Sequence, residues 1–189
     1  MKKSIIQNCI NHFNNGQVVL HPADTIWSLS CNPFCKNAVD KVFGIKQRAS
    51  NKSFILLVSS IEMLEQYVHI EESTKSSILS FKKPTTIIYT QTKDLPDYLL
   101  RKEDKSIAIR LIQKDCFAKS LVSQWNKPIV STSANLSGEA SSNDLSDFNP
   151  NILKGVDYIV DLPQEIEENA SASCILKLTN EGTFETIRA

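Results

Sequence analysis

The sequence predicts an α/β or tightly interleaved α+β fold: one domain built on a twisted, largely mixed β-sheet flanked by helices. Two observations carry that expectation. Short runs of β-branched and aliphatic residues alternate with apolar stripes at helical spacing along most of the chain, the signature of sheet and helix layers sharing one core. The 189 residues match the length of a single domain and can bury a sizeable core without disulfides, and no repeat, low-complexity tract or Pro/Gly linker divides residues 1–189.

The elements follow in order. Ile5, Ile6, Cys9, Ile10 and Phe13 recur at helical spacing behind Ser4 as a cap, with Gly16 as the stop. A strand runs from Gln17 to His21, and after the Pro22 turn Ile26 to Cys31 is extended. Ala38, Val39, Val42, Phe43 and Ile45 mark a second helix ending in Lys46 and Arg48. Phe54 to Val58 is a continuous apolar run, the mark of a buried strand. Ser59 and Glu62 have capping-box spacing for a helix through Met63, Leu64 and Tyr67, and another helix fills Ser73 to Phe81. Strands at Thr85 to Thr90, Ile107 to Ile112 and Pro128 to Ser131 are rich in β-branched residues, with a helical stripe of Phe117, Leu121, Val122 and Trp125 before the last. The tail offers a short helix opened by Asp144 or Ser146, then strands at Tyr158 to Val160, Cys174 to Leu178 and Thr183 to Ile187. The polar stretch from Leu162 to Ser173 is read as a loop.

Net charge is zero, 21 basic against 21 acidic residues, but the balance is uneven. Residues up to Gly138 hold 18 basic and 11 acidic side chains, a balance of +7, and Glu139 to Ala189 hold 3 and 10, a balance of −7. A basic body of this kind points toward anionic ligands. No apolar run approaches the roughly 18 residues of a membrane span, so a cytoplasmic protein is expected. The 5 cysteines are odd in number and irregular in spacing, which argues against a disulfide framework. Cys31 and Cys35 lack a second Cys or His pair at finger spacing, so no metal site is expected.

Three segments resist a purely structural reading. Lys46, Arg48 and Lys52 bring three cations within seven residues beside a buried strand; they complement a helix dipole, and they would equally clamp a polyphosphate, Arg as a bidentate fork and Lys as a point charge. Ser131-Thr132-Ser133-Ala134-Asn135-Leu136-Ser137-Gly138 leaves a strand as an array of hydroxyl, amide and backbone groups, suited to turns and also to a phosphate or polar substrate. His21-Pro22-Ala23-Asp24-Thr25-Ile26-Trp27 is a prolyl turn. Neither a Walker loop nor a G-x-G-x-x-G motif is present.

Taken together, the prolyl turn through Cys31, the Lys46-Gln-Arg48 and Lys52 cluster, Ser106-Ile-Ala-Ile-Arg110, and Lys127-Pro-Ile-Val-Ser-Thr-Ser-Ala-Asn-Leu-Ser-Gly138 resemble, in order and spacing, the YrdC-like threonylcarbamoyl-adenylate synthase family. The resemblance covers roughly residues 15 to 150. It implies a YrdC-like fold with a basic concave cavity, and formation of L-threonylcarbamoyl-adenylate and pyrophosphate from L-threonine, bicarbonate or CO2, and ATP with Mg2+, for the t6A modification of tRNA through downstream transfer proteins. A chain ending at Ala189 implies the single-domain form of that family.

Residue by residue, the resemblance makes Lys46, Arg48 and Lys52 the phosphate clamp, with Lys46 and Arg48 catalytic. Ser106 falls at an ATP contact, Asn135 and Asn143 at nucleotide contacts and Arg188 at a further one. Thr25, Arg110, Ser133 and Ser173 fall at threonine contacts, Arg110 on the carboxylate. Ala23 stands where the family usually has a polar residue, and Lys82-Lys83-Pro84-Thr85-Thr86 where a Trp-Pro-Gly-Pro-like turn is usual. A second reading of the +7 body is a non-catalytic module that holds double-stranded RNA or tRNA in the same cavity, with steep salt dependence; against it, no RRM, KH or dsRBD signature is present.

Overall fold

A computed structural model describes residues 2–48, 53–162 and 172–189. Among these residues nine strands form one mixed sheet: β1 (Val19–Pro22), β2 (Trp27–Cys31), β3 (Ile55–Val58), β4 (Thr85–Tyr89), β5 (Ile107–Leu111), β6 (Ile129–Ser133), β7 (Tyr158–Ile159), β8 (Cys174–Leu178) and β9 (Phe184–Arg188). Their order across the sheet is β7-β1-β2-β6-β3-β5-β4-β8-β9. Three neighbouring pairs are parallel, β1 with β7, β3 with β5 and β4 with β8, and the others antiparallel, which makes this an α+β sheet rather than a doubly wound one.

Among the described residues six α-helices accompany it: α1 (Lys2–Asn14), α2 (Lys36–Lys46), α3 (Ile61–Glu65), α4 (Glu72–Ser80), α5 (Phe117–Trp125) and α6 (Pro150–Gly155). The α1 stripe buries Ile6, Cys9 and Phe13, and Phe13 meets Trp125 of α5 edge to face. Gly16 ends α1 at φ 67°, where a Cβ would come within 2.9 Å of Cys35 Sγ; conformation and space both require glycine there. Ser4 lies inside α1 rather than capping it. At α3 the cap is Ser60, whose hydroxyl accepts from Met63 N at 3.2 Å, not Ser59. Asp144 opens only a short 3₁₀ turn, Leu145–Asp147. The helix that follows, α6, starts from Asn149 as N-cap with Pro150 in its first turn, a start signal present in the sequence and not used there. Most of the Leu162 to Ser173 loop lies outside the described residues.

His21 is fully buried within β1. Its Nδ1 faces the Pro22 carbonyl at 2.9 Å, so Nδ1 carries the proton and Nε2 accepts from Ser30 Oγ at 2.8 Å. Burial, partly offset by the bond to Pro22, lowers its pKa from 6.5 to about 4. The folded value lies below the unfolded one, so the unfolded chain takes up the extra proton. Stability is full above about pH 6.5 and declines as pH falls toward 4, by up to roughly 3 kcal/mol. Urea midpoints at pH 7 and pH 4.5 are expected to differ accordingly, and the difference should shrink in His21→Gln.

Candidate active site

Cross-strand register assembles the site. Paired residues of neighbouring strands share a face, as do residues two apart along a strand. Ser28 pairs with Ser133, Ser131 with Ile55, Ile55 with Ala108 and Ala108 with Ile88. Arg110 pairs with Thr86, Thr86 with Ile175 and Ile175 with Arg188. These two rows lie on one face, and they floor a cavity of about 300 Å³, within the range of small-molecule sites. Small side chains at Ser28, Ala108 and Ser131 leave the room. Its walls include Thr25 from the β1–β2 connection, Trp27 at the start of β2, Arg48 following α2, and Ser173.

Arg110 is buried at the cavity edge, 4% exposed. Its Nη2 donates to Asp24 Oδ1 at 2.6 Å and its Nη1 to Thr25 Oγ1 at 3.3 Å, and its Nε is buried without a partner. Burial lowers the guanidinium pKa and Asp24 raises it; the cation persists because the carboxylate is in contact. In the sequence Asp24 reads only as one member of the prolyl turn. Its role depends on a partner 86 positions away, for which the local pattern holds no signal.

Arg48 is set by the end of α2. Gln47 takes the left-handed conformation at φ 48°, with its N–H on the Gly44 carbonyl, and Arg48 N donates to Phe43 O at 3.1 Å, a Schellman-type stop that turns the chain sharply. The guanidinium then lies over the Phe54 ring, 5.3 Å from its centroid, and donates to Ser53 O at 2.9 Å. Among the described residues its buried Nε has no partner, and burial lowers its pKa. Arg188 donates from Nη2 to Ser173 O at 2.5 Å, while Ser173 Oγ shares a 2.7 Å hydrogen bond with Thr86 Oγ1. These contacts tie β9 and the start of β8 to the cavity.

Of the residues singled out in the sequence, Thr25, Arg48, Arg110, Ser133, Ser173 and Arg188 line this one cavity. Lys46, Ser106, Asn135 and Asn143 are not among its lining residues, and Lys52 lies outside the described residues. Lys46 is only 2% exposed, and its ammonium donates to Ser133 O at 2.6 Å, Asn135 O at 2.8 Å and Asn135 Oδ1 at 3.2 Å. Burial, then Arg48, push its pKa down to about 8, against the pull of those oxygens toward the charged form. Ser137 N also donates to Lys46 O at 3.0 Å, so the end of α2 is stapled to the loop leaving β6. Lys46→Met should lower the unfolding free energy by about 1–3 kcal/mol through the buried carbonyls it leaves bare, read as a drop in the urea midpoint.

Ser106 is occupied by a turn, donating to Asp104 Oδ1 at 2.6 Å through Oγ. Asn135 Nδ2 donates to Glu139 O at 2.6 Å. Asn143 keeps a buried Oδ1 with no partner. Ala23 lines the cavity, whereas Lys82 and Lys83 are exposed before β4. Among the described residues no group of three or more His, Cys, Asp or Glu side chains is placed to hold a metal.

Three guanidinium groups and a set of hydroxyls line one cavity over a sheet face of this α+β protein, an arrangement able to hold an anionic, polar small molecule. The comparisons agree on its kinship. The family model named for Sua5, YciO and YrdC, described as "Telomere recombination", matches residues 11–189, and the chain belongs to that family. A relative from Xanthomonas euvesicatoria named threonylcarbamoyl-AMP synthase is 30% identical over 160 residues, 82% of this chain and 84% of the relative. The crystal structure of E. coli YciO superposes with a TM-score of 0.83 at 23% identity, over 100% of this chain and 89% of that one. P. abyssi Sua5 complexed with L-threonine gives a TM-score of 0.79 at 22% identity, over 94% of this chain and 52% of that one. These superpositions establish the YrdC-like fold. No helix among the described residues is long and apolar enough to cross a membrane.

Proposed function

We propose that this chain is an L-threonylcarbamoyladenylate synthase, joining L-threonine, CO2 or bicarbonate, and ATP into threonylcarbamoyl-AMP and pyrophosphate. The observation that carries the reading is the convergence of Thr25, Arg48, Arg110, Ser133, Ser173 and Arg188 on one cavity, in a chain 30% identical to a relative of that name. The concave site favours a small-molecule substrate over the flat phosphate tracking of an RNA-binding module.

The chemistry asks for position more than for acid-base groups. The neutral threonine amine adds to CO2, the proton leaves, and a carbamate results. A carbamate oxygen attacks the α-phosphorus of ATP, the bond to the bridging β-oxygen breaks, and pyrophosphate departs. Proximity supplies effective molarities of about 10⁵ M or more to well-oriented reactants. Arg110, held by Asp24, would take the threonine carboxylate; Thr25, Ser133 and Ser173 would orient its polar groups; Arg48, Arg188 and Lys52 would meet the phosphates. Lys46 would act from behind, holding the Ser133–Asn135 turn in place. Mg2+ would arrive as part of the ATP substrate, carried on its phosphates and neutralising their charge. The threonylcarbamoyl group would pass to downstream transfer proteins and then to tRNA. Purified protein is expected to release pyrophosphate from ATP only when both threonine and bicarbonate are present; release without either, or none at all, contradicts the reading.

A further inference from the structure

A line of buried hydroxyls runs from His21 to the cavity. Because His21 Nδ1 must donate to the Pro22 carbonyl at 2.9 Å, its Nε2 is an acceptor, and Ser30 Oγ, 2.8 Å away, must spend its proton there. Ser30 can then only accept. Ser28 Oγ therefore faces acceptors alone on its own side, Ser30 Oγ at 3.4 Å, Leu29 O at 3.4 Å and Thr132 O at 3.3 Å. Its remaining neighbour is Ser131 Oγ, at 2.6 Å.

Two hydroxyls that close share one proton. If Ser28 donated to Ser131, the Ser28 oxygen, in a residue 2% exposed, would accept nothing from the protein, and the Leu29 and Thr132 carbonyls beside it would go unused. If Ser131 donates to Ser28, Ser28 passes its own proton onward and both hydroxyls are satisfied within the protein. The second arrangement makes one more hydrogen bond within the protein, worth about 0.5–1.5 kcal/mol net, and is therefore the favoured one. Ser28 and Ser131 both line the cavity, and with its proton turned inward Ser131 Oγ presents lone pairs to the ligand. The same cavity is lined by three arginines, which can only donate.

We infer that Ser131 Oγ is the hydrogen-bond acceptor for the substrate's amino group, with Ser28, Ser30 and His21 as positioning residues that fix its direction. The inference rests on the reading of this chain as a threonine-using synthase and adds the group that places the reacting nitrogen. A neutral amine loses a proton as it becomes the carbamate nitrogen, and an acceptor at that spot aims the N–H while leaving the nitrogen lone pair free for carbon.

The test is calorimetric titration of L-threonine and of 3-hydroxybutanoate, which keeps the carboxylate and hydroxyl and lacks the amine, into the wild-type chain, Ser131→Ala and Ser28→Ala. Ser131→Ala is expected to weaken threonine binding by about 10- to 100-fold and to leave 3-hydroxybutanoate unchanged. Ser28→Ala, which frees the Ser131 proton to swing outward, should erode the same discrimination with Ser131 still present, an effect that a merely structural role would not produce. Unchanged threonine affinity in Ser131→Ala, or equal weakening of both ligands, overturns this assignment alone. Failure of the wild-type chain to bind threonine overturns the functional reading together with it.

Discussion

Arg110→Met is expected to remove threonine-dependent turnover, by at least about 100-fold in kcat/KM, and to destabilise the fold by about 3–5 kcal/mol, because it strands the Asp24 carboxylate. That carboxylate is 4% exposed and its 2.6 Å contact with Arg110 is its ion pair in the structure. The two losses have different origins, and a second variant separates them. Asp24→Leu combined with Arg110→Met removes both charges, and a buried pair replaced by apolar side chains is often neutral for stability. The double variant should therefore recover much of the urea midpoint and none of the turnover. Recovery of activity with stability would contradict the role given to Arg110. Arg110→Lys should not rescue, since a single ammonium cannot hold Asp24 and Thr25 while offering a second face to a carboxylate.

Arg48→Ala is the second large effect. The guanidinium stacks on Phe54 and makes one bond to Ser53 O, and both can be lost at modest expense in stability. Arg48 lines the cavity, and the proposed function assigns it to the charge developing on the departing phosphates. Turnover is expected to fall by about 100- to 1000-fold, the size seen when one preorganised donor is removed, with the thermal midpoint nearly unchanged. Near-normal turnover would sink the phosphate assignment. Arg48→Lys should recover only part of the rate, since the ammonium keeps the charge but not the fork.

Much of the sheet is legible in the sequence, and the reasons are physical. Strands announced themselves by β-branched runs, and the period of two along each strand is what brings Ser131 with Ser133, or Ala108 with Arg110, to one face. The sheet order could not be read locally. β6 lies between β2 and β3, so the hydroxyl-rich strand meets the prolyl-turn strand only through a pairing about a hundred residues apart. For the same reason the partners of charged groups were out of reach. Lys46 reads in sequence as a helix-end cation free to meet phosphate, yet it turns inward to the Ser133–Asn135 carbonyls. Ser106 likewise closes a turn on Asp104. The acidic tail also has a partial account: Asp157 accepts from Val18 N at 2.8 Å and pairs with Lys41 at 2.6 Å, clipping the tail to the start of β1.

The measurement that bears most directly on the central claim is mass spectrometry of the reaction product formed by the purified chain from ATP, L-threonine and ¹³C-bicarbonate. The account predicts a threonylcarbamoyl-AMP adduct carrying the ¹³C label, equimolar with pyrophosphate and absent when threonine is omitted. AMP or ADP formed without a labelled threonyl adduct would contradict it.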